Sequence, residues 1–480
     1  MIVFLKSPAI AIGVRTALAF SLVILGAGPS LAHTSEQAFV LLMPTGLYVT
    51  AGCLAVMASI LTVSVMPRTV IERFFRTVSV RWRPPREALW TATSLASFCV
   101  LCAAIYMGFN GPRDPLTNLL TLGIWTGWWI ILFALCGLLG NLWTALNPWL
   151  GPYRLLLRPT ERNGWFRLPE RIGSMPAVLM ALAFFGFMVA DPAPSDPGRL
   201  ATVIGLYWVF HFLGMILFGG EAWLRQCEAI TQIFALISRT GLVQWLQELK
   251  IGLPGWQIAR GSVEGTGLSL LALLILAGGS FDGLKETFWW LGNIGINPLE
   301  FPGRTAVIGS SLAGFAVFAA ILTAGFLITC WSGKALLNRF FREGMQSDTA
   351  SIFRAFAPAV LPIALGYHMS HFLTSFLIDG QYVLAVLGDP FARGANYFGL
   401  AEIRVTTGFL SYSKSAQAIW LTQFAFVVTG HVLSVLVSHR IALRLFGDTH
   451  KALIGQIPLA FFMVAYTWFG LWLLAVPRSA

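Results

Sequence analysis

His368 and His371 stand three residues apart in the stretch 352–381, IFRAFAPAVLPIALGYHMSHFLTSFLIDGQ, which is otherwise apolar enough to cross a bilayer. Histidine is costly in hydrocarbon, so a pair on one helix face marks a site where chemistry or ion handling is worth seeking. Both lie about 10–15 Å below the outer end of their stretch at a rise of ~1.5 Å per residue. His211, in Leu206-Tyr207-Trp208-Val209-Phe210-His211, lies at a similar depth in its own apolar stretch. Three imidazoles at one depth would suit zinc or copper with a water in an open position. The plainer alternative is that each ring hydrogen-bonds a neighbouring helix.

Other residues offer related chemistry. Asp282, Asp379 and Asp389 are carboxylates at the same outer side, each able to ligate a metal or to act as a general base. Asp-Gly and Asp-Pro pairs also simply turn the chain. His33, with its own imidazole, a free amino group if it became the N-terminus, and Glu36 close by, would chelate copper; it could equally just follow a cleavage site. Cys99 and Cys102 form a C-x-x-C which, with Met43 and Met107, suits soft-metal passage, although packing explains a cysteine in an apolar helix as well. His431 and His439, toward the inner end of their stretch, read as structural. No H-E-x-x-H, G-x-S-x-G, P-loop or G-x-G-x-x-G motif occurs.

The elements that must position these residues are membrane helices. Of 480 residues, 56% are hydrophobic and 11% charged; soluble domains carry about 25% charged residues. The net charge of +11 comes from short basic loops between apolar stretches, which excludes a nucleic-acid partner in favour of the bilayer. Residues 1–32 read as a cleavable signal peptide, with basic Lys6 and Arg15, an apolar core and a small-residue cleavage site ending at Ala32. Residues 33–480 read as one all-α membrane domain of about ten transmembrane helices, at 39–66, 88–108, 119–146, 175–190, 200–218, 267–281, 305–330, 355–378, 416–438 and 457–476. The sixth, short and glycine-rich, reads as broken or tilted. None has Asp, Glu, Lys or Arg in its interior, which argues against an ion-coupled pump. Residues 219–266 read as a surface amphipathic helix and 379–415 as an outer lid or docking loop. With the mature N-terminus outside, 22 of the 32 Lys and Arg fall in inner loops. This positive-inside bias predicts a multi-pass protein of the bacterial inner membrane with both mature termini periplasmic.

A series of short patches resembles bacterial polytopic proteins described as membrane-bound fenitrothion hydrolases. They are Gly140-Asn141-Leu142-Trp143 with Asn147-Pro148-Trp149; Glu170-Arg171-Ile172-Gly173; Gly220-Glu221-Ala222-Trp223; Ser280-Phe281-Asp282-Gly283; Ser370-His371 with Gly380-Gln381; Gly430-His431 with Ser438-His439; and Gly470-Leu471-Trp472-Leu473-Leu474. The resemblance implies hydrolysis of an aryl phosphorothioate triester with release of a nitrophenol, and a second membrane-associated subunit. Combined with the residues above, the expectation is a metal-assisted phosphotriester hydrolase. His371, Asp282 and Asp379 would be catalytic, and a zinc or copper ion would be held by His371, His368, His211 and His33. The alternative is a non-enzymatic protein that handles or transports copper at the periplasmic face.

Overall fold

The computed structural model describes residues 43–81, 87–245, 249–341 and 347–478. The signal peptide expected over 1–32, and His33, lie outside these residues. The chain is a helical membrane protein: nine helices among the described residues are long and apolar enough to cross a bilayer. They are α1 (Thr45–Val65), α2 (Glu87–Asn110), α3 (Leu119–Leu139), α5 (Pro197–Phe218), α7 (Thr266–Lys285), α8 (Arg304–Phe340), α9 (Thr349–His371), α11 (Ser413–Phe446) and α12 (Thr449–Ala475). Two shorter apolar helices, α4 (Met175–Ala190) and α10 (Leu373–Gly388), pack among them, as does α6 (Ala229–Ile237). A small antiparallel sheet, β1 (Thr77–Val80), β2 (Val243–Gln244) and β3 (Leu249–Gly252), in the order β1-β3-β2, joins two inter-helix segments.

Helices α7 and α9 form the centre. Buried residues make up 83% and 78% of their most apolar windows, against 6% for α2. Glycine lets the central helices approach. A Cβ on Gly366 of α9 would fall 2.4 Å from the Phe426 carbonyl oxygen of α11, and one on Gly430 of α11 would fall 2.6 Å from that of Pro362. In lipid, where apolar side chains gain little by leaving the solvent, such small-residue contacts hold helices together. The expected breakage of the sixth span is not found: α7 runs unbroken for 20 residues, and its Gly278 makes room for the Phe185 ring.

Two further expectations change. The surface helix expected in 219–266 is present only as one short amphipathic helix, Gly220–Gln226, with Glu221 and Arg225 exposed and Trp223 and Leu224 buried; α6, which carries AITQIFALI, follows it and is buried on nearly every side. A helix apolar all round belongs in a core, and α6 packs on α4, α7 and α9. The lid expected over 379–415 begins as regular helix, since α10 extends to Gly388. Within α3 the residues Gly123–Leu132 wind as a π-helix, a form that recurs at functional sites.

Candidate functional site

The site grows from the last turn of α7. Asp282 and Lys285 are three residues apart, so their side chains share a face, and Lys285 Nζ lies 2.7 Å from Asp282 Oδ1. Both side chains are only 9% exposed. Sequence patterning places this turn outside the membrane helix; the structure includes it, and the expected absence of ionisable groups from the helices is therefore corrected. Residues Gly283-Leu284-Lys285 continue the helix because the two charges neutralise each other and can stay inside.

From α9, His371 brings its Nε2 to 3.1 Å from the other carboxylate oxygen, Oδ2. An ionised carboxylate only accepts, so Nε2–H donates and a neutral His371 carries its lone pair on Nδ1. That nitrogen is buried without a partner. One helical turn earlier, the Tyr367 ring stacks on the His371 ring, with centroids 5.7 Å apart and planes 12° apart. The Tyr367 hydroxyl is also buried and unpartnered. Gly283 makes this geometry possible: a Cβ there would sit 2.1 Å from the Tyr367 Oη and 3.5 Å from His371 Nδ1. Next on α7, Ser280 Oγ and Tyr466 Oη of α12 share a 2.7 Å hydrogen bond. The carboxylate thus fixes the imidazole tautomer, and the free Nδ1 has the character of a general base.

The remaining residues picked out from sequence lie elsewhere. Asp379 sits in α10, beyond the helix break at Phe372, and makes no hydrogen bond or ion pair among the described residues. Asp389 ends α10 and accepts from the N–H groups of Arg393 (2.9 Å) and Gly394 (2.6 Å). The Arg393 N–H foremost holds its carboxyl below the usual carboxylate range, as for a turn-forming aspartate. His368 makes no hydrogen bond to Asp282 and packs on α3 at the end of its π-helical stretch, 5.4 Å from the Trp129 ring and 4.3 Å from that of Phe133. His211 belongs to a separate cluster, where its Nδ1 accepts from Trp223 Nε1 at 2.9 Å and its ring contacts Trp149 and Tyr207. Beside it the fully buried Glu228 accepts from the Tyr207 hydroxyl and from the N–H groups of Ile230 (2.9 Å) and Thr231 (2.6 Å), capping α6. Equal depth did not bring His211, His368 and His371 together. Among the described residues no three His, Cys, Asp or Glu side chains are grouped to hold a metal. Cys99 and Cys102 are exposed along α2.

Lys285, Tyr367, Ser280 and Tyr466 were not assigned roles from sequence. The D-x-x-K spacing of Asp282 and Lys285 was the available signal for the ion pair; nothing local marks Tyr466 as the partner of Ser280. No protein-family model, curated protein or solved structure matches this chain.

Proposed function

We propose that this membrane protein hydrolyses apolar aryl organophosphorus triesters, with the Asp282–His371 pair as general base. The observation that carries the reading is the 3.1 Å hydrogen bond that holds His371 Nε2 on Asp282 and leaves Nδ1 free. In the proposed step Nδ1 takes a proton from water as the water oxygen bonds to phosphorus. The bond from phosphorus to the aryl oxygen breaks, and the phenolate leaves with its electron pair. Asp282 stabilises the imidazolium, which then returns its proton to the phenolate or to solvent. The Tyr367 hydroxyl, on the same side of Gly283, donates to the phosphoryl or thiophosphoryl group. Nδ1 is sealed in the present arrangement, so substrate reaches it when α10 moves at the break after His371. An apolar ester partitions into the bilayer, which suits a site between helices. The proposed setting is the periplasmic side of a bacterial inner membrane, as one subunit of a heteromeric enzyme.

The donor set does not fit the divalent metal expected from sequence. Both Asp282 oxygens are engaged, one by a cation at 2.7 Å, and the other histidines point elsewhere. The proposed step therefore uses only the chain's own groups. The test is nitrophenolate release from a nitrophenyl phosphorothioate triester by membranes carrying the chain. His371→Gln should lower the rate about 10²–10⁴-fold, the usual contribution of a general base. A chelator should leave the wild-type rate unchanged. Wild-type turnover by His371→Gln would sink the assignment.

A further inference from the structure

Buried polar atoms without partners are not scattered evenly in this protein. Among the described residues ten such side-chain atoms occur, and seven belong to α9 and α11. A polar group left unpaired in a low-dielectric interior costs about 1–3 kcal/mol, and each instance asks for an explanation. Four of these atoms fall along one line of contacts between α7, α9, α11 and α12.

The line begins at Asp282 and His371. His371 Nδ1 and the Tyr367 hydroxyl follow, on stacked rings. Ser280 and Tyr466 come next, joined at 2.7 Å. The Tyr466 ring lies 6.4 Å from the ring of His431. His431 Nδ1–H donates to the Val427 carbonyl at 2.9 Å, which fixes the tautomer and leaves Nε2 as a lone pair without a partner. Ser434 and Ser438 continue on the same face of α11, three and seven residues on. Ser434 donates to the Ala359 carbonyl at 2.6 Å, and the Ser438 hydroxyl has no partner. His439 ends the line, where Gln456 of α12 donates to its Nδ1 at 3.1 Å. His431 and His439 are about 12 Å apart along the helix at ~1.5 Å per residue. Helices α9 and α11 run antiparallel, with Gly366 against Phe426 and Ala359 against Ser434, so His371 and His439 lie toward opposite ends of the bundle.

We propose that this row is a hydrated proton-conducting path through the protein, running from Asp282–His371 to His439–Gln456 by way of Tyr367, Tyr466, His431 and Ser438. Tyr367, Tyr466 and Ser438 can each both donate and accept, and His371, His431 and His439 can take up and release a proton on a ring nitrogen; Asp282 and Gln456 orient the two ends. The unpartnered atoms are the hydrogen-bonding partners that bridging waters need. A proton taken up at one end is matched by one released at the other, and each group returns to its starting state. The path requires no ester and stands without the hydrolase reading; a chain that conducts but does not hydrolyse refutes only the latter.

The experiment is proton flux into liposomes containing the purified full chain and a trapped pH-sensitive dye, driven by a valinomycin-clamped potassium potential. Wild-type protein should acidify the lumen at least about tenfold faster than protein-free liposomes. His431→Phe, which keeps a ring of similar size, and Tyr466→Phe, which removes one hydroxyl, should each cut the protein-dependent flux about tenfold or more. Both variants are first checked for wild-type elution in detergent. Tyr466→Phe keeps the test decisive if His431→Phe does not fold. Wild-type flux at the protein-free level overturns the proposal, as does unchanged flux in either variant that elutes as wild type.

Discussion

Removing either charge of the Asp282–Lys285 pair should destabilise the protein far more than removing both. At 2.7 Å, the attraction is about 6 kcal/mol at an effective dielectric of ~20. The side chains are only 9% exposed, so water screens the pair little. Asp282→Asn leaves the Lys285 ammonium buried without a counter-charge, and Lys285→Met leaves the carboxylate so. Each should cost about 3–5 kcal/mol, the usual penalty for breaking a buried pair from one side. The double variant carries no stranded charge and should cost less than about 2 kcal/mol, because replacing a whole buried pair by uncharged groups is often near neutral. The assay is SDS-induced unfolding of the purified chain in detergent, followed by tryptophan fluorescence from its 18 tryptophans. The proposed ester hydrolysis, assayed as its rate, would give a second readout with a different pattern. Asp282→Asn should lose the fixed His371 tautomer, and the double variant should recover stability without recovering rate. A double variant whose cost equals the sum of the two single costs would refute the ion-pair reasoning.

Two further substitutions probe the same neighbourhood. Gly283→Ala puts a Cβ 2.1 Å from the Tyr367 Oη and should cost about 1–3 kcal/mol by overpacking. Adding Tyr367→Phe removes the clashing atom and should restore most of that loss in the same unfolding assay; no recovery would show that the clash lies elsewhere. Glu228→Gln should cost about 1–3 kcal/mol, because one of its three buried donors then meets an amide that cannot accept. Amide exchange across Ala229–Ile237 should quicken by roughly tenfold or more, each 1.4 kcal/mol being a factor of ten in local opening. Unchanged exchange there would show that the cap does not hold α6.

The helical membrane architecture was legible because each long apolar run reports its own length, whatever its neighbours do. What a side chain meets across the bundle leaves no such local trace. His371 and Asp282 were both picked out, but their hydrogen bond spans 89 residues of sequence and follows from how α7 crosses α9. Lys285 was missed because hydropathy falls off at Asp282, so the helix was ended one turn early. Depth along a helix can be counted in residues, and by that count His211 matches His371. Lateral position cannot be counted, and α5 places His211 against Trp223 instead. The buried α6 was not separated from the amphipathic Gly220–Gln226 helix before it for a related reason: a nine-residue apolar segment beside basic residues looks interfacial until the bundle that encloses it is known.

The ion pair alone does not account for His371. Asp282 and Lys285 neutralise each other, and a helix end held inside the bundle needs nothing more from α9 than an apolar side chain. Imidazole adds one charge-assisted hydrogen bond, through Nε2, worth about 1.5–3 kcal/mol. It also buries a second nitrogen with no partner, at a cost of about 1–3 kcal/mol. The two terms nearly cancel, so stability gives little reason for histidine here. The Tyr367 hydroxyl is harder still to explain by stability: it is buried, unpartnered, and accommodated only because residue 283 has no Cβ. Phenylalanine would keep the ring stack without burying that hydroxyl. The Tyr367 hydroxyl is thus held at net cost and the free His371 Nδ1 at little gain, which is what the proton transfer proposed for this nitrogen, in the hydrolytic step and in the conducting row, would require.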